Sequence, residues 1–314
     1  MTSDISRVLY AVGDQFINPI NSALSMQGII MKYMFLLLFL CSWGANAATD
    51  FSLIKQRGEL ASLVYSDAAD IQTTLQSKNI KLVNQKVLPG TEVSYFLTQV
   101  NGAQIISVRG TANLKNVMVD LDVNLKLDEK LGIQVHQGFA DAAAAVYSDL
   151  QAHINKDQPI HTTGHSLGGA VAVILGMYLQ KDGYKLQSII TFGQPKVTNV
   201  GGTQTFKDLP LTRVVTTEDI VPLVPPLSPL QLKNLDIYWH NGDEIILKEG
   251  AEYSITNGLK SMMRATKIVT VLPSEANLNA HKMTTYLSLI ESKLNGAKEV
   301  PYKTGLNLFG LSLD

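Results

Sequence analysis

The chain carries a single cysteine, Cys41, so no intramolecular disulfide is possible and packing must supply the stability. Charge is scarce too. Charged residues make up 17% of the chain, the formal net charge is −1, and lysine and arginine never cluster into a run. A nucleic-acid partner therefore has no electrostatic basis. No H-E-x-x-H or comparable ligand spacing occurs, so neither a metal nor another cofactor is expected. Repeats and low-complexity linkers are missing as well. The most apolar run, from Met34 to Leu40, is too short for a comfortable membrane span.

That short run has the flanks of a targeting segment. Met31-Lys32 is a small positive region, Met34 to Leu40 the apolar region, and Ala45-Asn46-Ala47 an A-x-A cleavage site. Thirty residues precede Met31, which favours translation starting there. The expected division is 1–47 as N-terminal extension plus signal peptide, cleaved after Ala47, and 48–314 as a single α/β domain. Secretion, or export to a periplasm, follows from that reading. The alternative is a membrane tether formed by residues 29–43. Leu38-Phe39-Leu40-Cys41 has some look of a lipoprotein signal, but that site needs a small residue where Leu40 stands.

The remaining length suits one large α/β core. Helical spacing predicts a helix from Phe51 to Val64 and an Ala-rich one from Gly138 to Ile154. Strands are expected at Glu92–Leu97 and Gln104–Val108, joined through the hairpin signal Asn101-Gly102. Further strands are expected at Leu186–Phe192 and Leu211–Thr216. A second Asn-Gly, Asn241-Gly242, predicts a hairpin between Ile237–His240 and Glu244–Leu247. Asn279 to Leu294 reads as a closing helix. Helices alternating with strands imply a mainly parallel central sheet with helices on both faces.

Within this frame lies Gly164-His165-Ser166-Leu167-Gly168, preceded by the β-branched run Pro159 to Thr163 and followed by a helix-forming run to Leu179. A serine hydroxyl is a poor nucleophile until a base takes its proton, so it must stand on a sharp strand-to-helix turn within reach of one. Flanking glycines permit that turn, and the helix start offers free N–H groups to a developing oxyanion. By itself, G-x-S-x-G also arises as a plain loop. The acid and base should follow in chain order. Asp219 is placed for the acid, just past the strand ending at Thr216, with Glu218 its nearest rival and a turn-forming aspartate the bland reading. Of six histidines, order disfavours His136, His153, His161 and His165. His240 and His281 remain. A loop or helix start aims an imidazole more freely than a hairpin does, which favours His281 without excluding His240. Leu167 N–H supplies one oxyanion donor, and Arg109-Gly110-Thr111, after an early strand, offers Thr111 as a second.

Together these pieces resemble the class 3, fungal-type lipase family, and hence the α/β-hydrolase fold. The similar stretches are Val108-Arg109-Gly110-Thr111, Asp120-Leu121, Val135-His136-Gln137-Gly138-Phe139, Gly164 to Gly169, and Thr191 to Val197. Asp219-Ile220-Val221-Pro222, Pro225-Pro226, Tyr238 to Glu244, and His281 with Tyr286 complete the set. They run in family order over residues 50–295. The resemblance implies Ser166 as nucleophile, Asp219 as acid, His281 as base, and Thr111 and Leu167 as oxyanion donors. It makes His240 and His136 structural or supporting residues. It also implies a lid within 112–118, where Leu114, Val117 and Met118 form one apolar helical stripe. The implied activity is a lipase acting on acylglycerols, with phospholipase A1 or non-lipid esterase as alternatives. The lid would make transient contact with a lipid interface. A non-catalytic lipid-binding protein is the alternative of another class. Three departures stand out: Val117 replaces a frequent tryptophan, no disulfide exists, and Ser254–Glu275 has no counterpart.

Overall fold

Apolar, β-branched runs build the centre of the protein, because a strand covered on both faces needs no polar alternation. The computed structural model describes residues 49–89, 93–111, 124–226, 231, 236–258, 260, 261, 264, 274–303, 307, 308, 311 and 312. Met1–Thr49 and Asp50–Asp314 form separate units, and the account below concerns the second. The signal segment and the apolar stripe Leu114, Val117 and Met118 lie outside the described residues.

The parallel core of the main sheet consists of β3 (Ala103–Val108), β6 (Ile160–His165), β7 (Leu186–Phe192), β9 (Leu211–Thr216) and β11 (Asp243–Leu247). On one side, β2 (Ser94–Val100) and β1 (Lys81–Val87) continue it antiparallel. On the other, β12 (Glu252–Thr256) is antiparallel to β11, and β13 (Lys298–Glu299) is parallel to β12. A small antiparallel sheet joins β4 (Leu125–Asp128), β5 (Ile133–His136), β8 (Thr198–Asn199) and β10 (Tyr238–Trp239).

Adjacent residues of one strand feed opposite layers, as a period of two requires. Ile189 packs with α3 (Gln137–Leu150) and α4 (Leu167–Lys181). Ile190 and Phe192 pack with α1 (Phe51–Leu63) and α7 (Met283–Glu291). Helix α4 is buried from Gly168 through Leu179, so its Ala/Val/Leu composition has no polar stripe to keep. At Gly176 an added Cβ would meet Ile189 Cδ1 at 2.3 Å, which is how closely α4 lies on β7.

The first Asn-Gly behaves as expected. Asn101 (φ 50°) and Gly102 (φ 77°) turn β2 into β3 with Val100 opposite Ala103. The second does not. Strand β10 pairs with β8 in the small sheet, while β11 pairs with β9 and β12. Asn241-Gly242 is instead a corner between the two sheets. The Asn241 side chain donates to the Thr203 and Phe206 carbonyls, and its own carbonyl accepts from Arg213 Nε at 2.9 Å. Tertiary hydrogen bonds, not a cross-strand partner, set that turn. The closing helix also divides. Helix α6 (Glu275–Ala280) ends with His281 as its C-cap, and α7 begins at Met283. His281 thus stands between two helices rather than at the start of one. Helices α2 (Ala68–Ser77) and α5 (Val200–Thr205), with β1 and β12, give no strong sequence signal.

Candidate active site

Strand β6 delivers Ser166 to the N-cap of α4 with φ 57° and ψ −132°. A non-glycine residue rarely adopts positive φ, and the neighbouring glycines show why the turn holds it there. A Cβ on Gly164 would lie 2.3 Å from the Gly168 oxygen, and one on Gly168 2.3 Å from the Val108 oxygen. Only hydrogen fits at either place. The tight approach seats the start of α4 against the turn after β3. There a Cβ on Gly110 would lie 3.2 Å from Ser166 Cβ. Leu167, the first residue of α4, and half-buried Thr111 therefore flank the same serine. Among the described residues nothing accepts from the Leu167 or Thr111 N–H.

Asp219 and His281 meet although they are far apart in sequence. His281 Nδ1 is 2.7 Å from Asp219 Oδ2. The same oxygen accepts the Tyr286 hydroxyl at 2.6 Å, and Oδ1 accepts Val221 N–H at 2.9 Å. Burial pushes the Asp219 carboxyl up, but His281 and then the Tyr286 and Val221 donors outweigh it and leave it below its ordinary value. The carboxylate only accepts, so the proton lies on His281 Nδ1 and the lone pair on Nε2. Both Nε2 and Ser166 Oγ are buried without a hydrogen-bond partner among the described residues. His240 is elsewhere. Its Nε2 donates to the Pro222 carbonyl at 2.6 Å and so braces the turn that follows Asp219. Glu218 contributes its backbone carbonyl, which accepts from Asn277 Nδ2 at 2.8 Å. His136 caps α3 through Phe139 N–H and stacks on the Phe139 ring.

His165 touches His281 directly. Its ring centroid lies 4.4 Å from that of His281, and its Nε2 is 2.7 Å from the His281 carbonyl oxygen. That oxygen only accepts, so His165 Nε2 carries the proton and Nδ1 accepts from the Tyr65 hydroxyl at 3.0 Å. The Tyr65 oxygen in turn accepts Gly110 N–H at 3.1 Å. Burial, with His281 alongside, holds His165 down to about 3, so this relay stays neutral. One hydrogen-bonded chain thus links the turn before Thr111 to the backbone of His281.

Tyr65 and Gly193 carry weight that the sequence did not signal. Tyr65 is a hundred residues from its partner His165, and no local pattern marks it. Gly193 (φ 57°) ends β7 where an added Cβ would sit 2.7 Å from His281 Cε1 and 2.8 Å from Asp219 Oδ2. Lys196 is buried nearby and donates to the Leu223 and Pro225 carbonyls at 2.6 and 2.8 Å, tying the segment after β7 to the loop that follows Asp219.

Residues 105–228 match the family model described as lipase (class 3). The chain is 32% identical over 147 residues to a secreted mono- and diacylglycerol lipase 1 of Fusarium solani, covering 44% of each chain. It is 32% identical over 151 residues to a lipase of Rhizomucor miehei, covering 43% of this chain and 40% of that one. The match therefore spans less than half the length of these curated relatives. The crystal structure of the lipase from Rhizopus microsporus var. chinensis superposes with TM-score 0.54 at 25% identity, covering 65% of this chain and 76% of that one. Strand order, elbow geometry and these matches lead to one reading: residues 105–228 are similar to the class 3 lipase family, and the chain has the α/β-hydrolase fold.

Proposed function

We propose that this protein is a serine carboxylic-ester hydrolase, and that it acts on acylglycerols. The observation that carries the reading is the pair of buried, unpartnered atoms, Ser166 Oγ and His281 Nε2, beside an Asp219–His281 hydrogen bond of 2.7 Å. Unsatisfied buried polar atoms are costly, and they persist where chemistry needs them. His281 takes the Ser166 proton while Asp219 fixes the imidazole tautomer and stabilises its charge. Ser166 attacks the ester carbonyl, and the Leu167 and Thr111 amides hold the oxyanion. His281 then protonates the leaving alcohol, and water repeats the sequence on the acyl-enzyme.

The finer points belong to the same proposal. Ser166 is 1% exposed and His281 3%, so an ester reaches them only after a cover moves. This supports the lid role for 112–118 with Leu114, Val117 and Met118, and transient contact with a lipid surface. A single hydrolase domain over 48–314 and export through 31–47 complete the reading. The pattern Met31 to Ala47 and the word "secreted" in one relative's name support export. No helix among the described residues is long and apolar enough to cross a membrane.

Initial rates on triolein, phosphatidylcholine and short p-nitrophenyl esters test the substrate class. A rate on triolein that jumps once the substrate forms an interface is expected, and a dominant rate on phosphatidylcholine moves the assignment to phospholipase A1. Ser166→Ala should lower kcat by about 10⁶. Undiminished hydrolysis in that variant refutes the mechanism, and N-terminal sequencing of the mature chain tests cleavage after Ala47.

A further inference from the structure

Arg57, in the middle of α1, is 6% exposed and has no carboxylate partner among the described residues. Its Nε is buried and unpaired, and no guanidinium nitrogen donates to any described residue. Only Nε is sealed from solvent; the terminal nitrogens face water without a protein partner, so the charge is partly desolvated, makes no ion pair and is open to a ligand. Arg57 lines a solvent-connected cavity of about 760 Å³ between α1, α2 and the Asn101 end of the β2–β3 hairpin. That volume falls within the roughly 300–1,000 Å³ of small-molecule sites. The cavity lies at the Ala103 end of β3, whereas Ser166 lies against the opposite end, beyond Val108. Its function is therefore separate from the hydrolytic site.

The chemistry of the walls narrows the ligand. Leu60, Leu63, Ile80, Val100, Ile105 and Leu287 give it apolar sides. Two further charged residues line it, Glu59 and Lys78, and they neutralise one another through an ion pair. Lys55 adds a second contact to Glu59 at 3.6 Å but is itself held by Glu291 at 2.8 Å. His161, the other titratable group beside Arg57, hydrogen-bonds Ser188 Oγ at 2.8 Å and is held down to about 4 by burial and then by Arg57. One positive charge is left over. A monoanion balances it, whereas a dianion would leave one negative charge uncompensated. A guanidinium matches a carboxylate in a two-pronged geometry, and the apolar walls match an alkyl chain.

We propose that this cavity binds a free monocarboxylate amphiphile of the fatty-acid class, its carboxylate on Arg57 and its chain along Leu60, Leu63 and Ile105. Such molecules are what the proposed hydrolysis would release, but the binding does not rest on that activity. Calorimetric titration of the full chain with decanoate, kept below its critical micelle concentration, tests it. Ser166→Ala serves as the background, so that failure of the hydrolase reading leaves the binding result intact. One-to-one binding is expected. Arg57→Met should weaken it by about tenfold or more, the worth of a charged hydrogen-bonded pair. Arg57→Lys should fall between, because an ammonium lacks the two-pronged fit. Without ligand, Arg57→Met should melt no lower than the parent, since it removes a partly desolvated charge that makes no ion pair. With decanoate it should lose the upward shift in Tm that the parent shows. Decanoate affinity unchanged in both Arg57 variants overturns the proposal. So does equal affinity for decanol, which marks a merely apolar cavity, or for inorganic phosphate, which marks a general anion site.

Discussion

Asp219 accepts from His281, Tyr286 and Val221, and the three donors differ in what they fix. Val221 N–H sets the carboxylate plane, Tyr286 occupies the lone pair beside His281, and the bond from His281 Nδ1 leaves its Nε2 free for the proposed transfer from Ser166. Tyr286→Phe removes one donor and should raise the Asp219 pKa, because that hydrogen bond helps to lower it. The acid limb of kcat/KM should then move to higher pH, with a fall of about tenfold at the optimum. A pH–rate profile that overlays the parent's would show that Tyr286 only fills space. Gly193→Ala tests the same site sterically. Its Cβ would lie under 3 Å from both the His281 ring and the Asp219 carboxylate, on a residue with φ 57°. Neither group is a flexible chain end, so the expected result is loss of ester hydrolysis in a chain that still folds. The tertiary fold can be checked by near-UV circular dichroism, and full activity in Gly193→Ala would mean that the pair relaxes freely.

At the scale of elements, the loop that presents His281 is held from both sides. Ser274 and Asn277 form a capping box at the start of α6, and Asn277 Nδ2 also reaches the Glu218 carbonyl. Thr216 Oγ1 donates to the Ala280 carbonyl at 3.1 Å, tying the end of α6 to the end of β9. Asn277→Ala breaks the box and the link to the acid's loop together. A loss of about 1–2 kcal/mol is expected from urea unfolding, with a larger relative fall in kcat than in KM. Unchanged stability would separate the cap from the site. Sequence pattern made β3, β7 and β9 legible, because buried strands rich in apolar and β-branched residues leave few other readings. It could not show the break at His281. Asn279-Ala280-His281-Lys282 contains no glycine or proline, and the helix stops there because of bonds to β9 and to Glu218. Asn241-Gly242 misled for the converse reason: a turn dipeptide gives the local bend but not the strand that receives the chain. Ser166 was legible because its strain demands glycines close in sequence. Tyr65 was not, because its partners come together only once the sheet has formed.

Across the whole molecule, the edge of the parallel sheet is joined by charge rather than by a disulfide. Glu244 on β11 is 1% exposed and pairs with Arg213 of β9 at 3.2 Å and with Arg264 at 2.9 Å. It also accepts Thr256 Oγ1 of β12 at 2.8 Å, so a single carboxylate connects two neighbouring strands to its own. Burial pushes Glu244 up, but Arg264 and Arg213 overcome that and hold it well below the ordinary carboxylate range. A depressed value means that the folded chain releases a proton which the unfolded chain still binds. The resulting stability is full above the unfolded value of about 4.3 and drains away as pH falls toward the folded one. Glu244→Gln keeps the shape and deletes the charge, leaving Arg213 and Arg264 facing each other uncompensated. The cost should be about 3–5 kcal/mol, as for other buried pairs that lose one partner. Since most of that difference is electrostatic, it should shrink as pH drops below about 4, where the unfolded parent takes up a proton that the folded chain still excludes. The gap between the melting curves of parent and variant should therefore narrow steadily from about pH 5 down to about pH 3. Curves that stay parallel across that range would assign the loss to packing and hydrogen-bond geometry instead of charge.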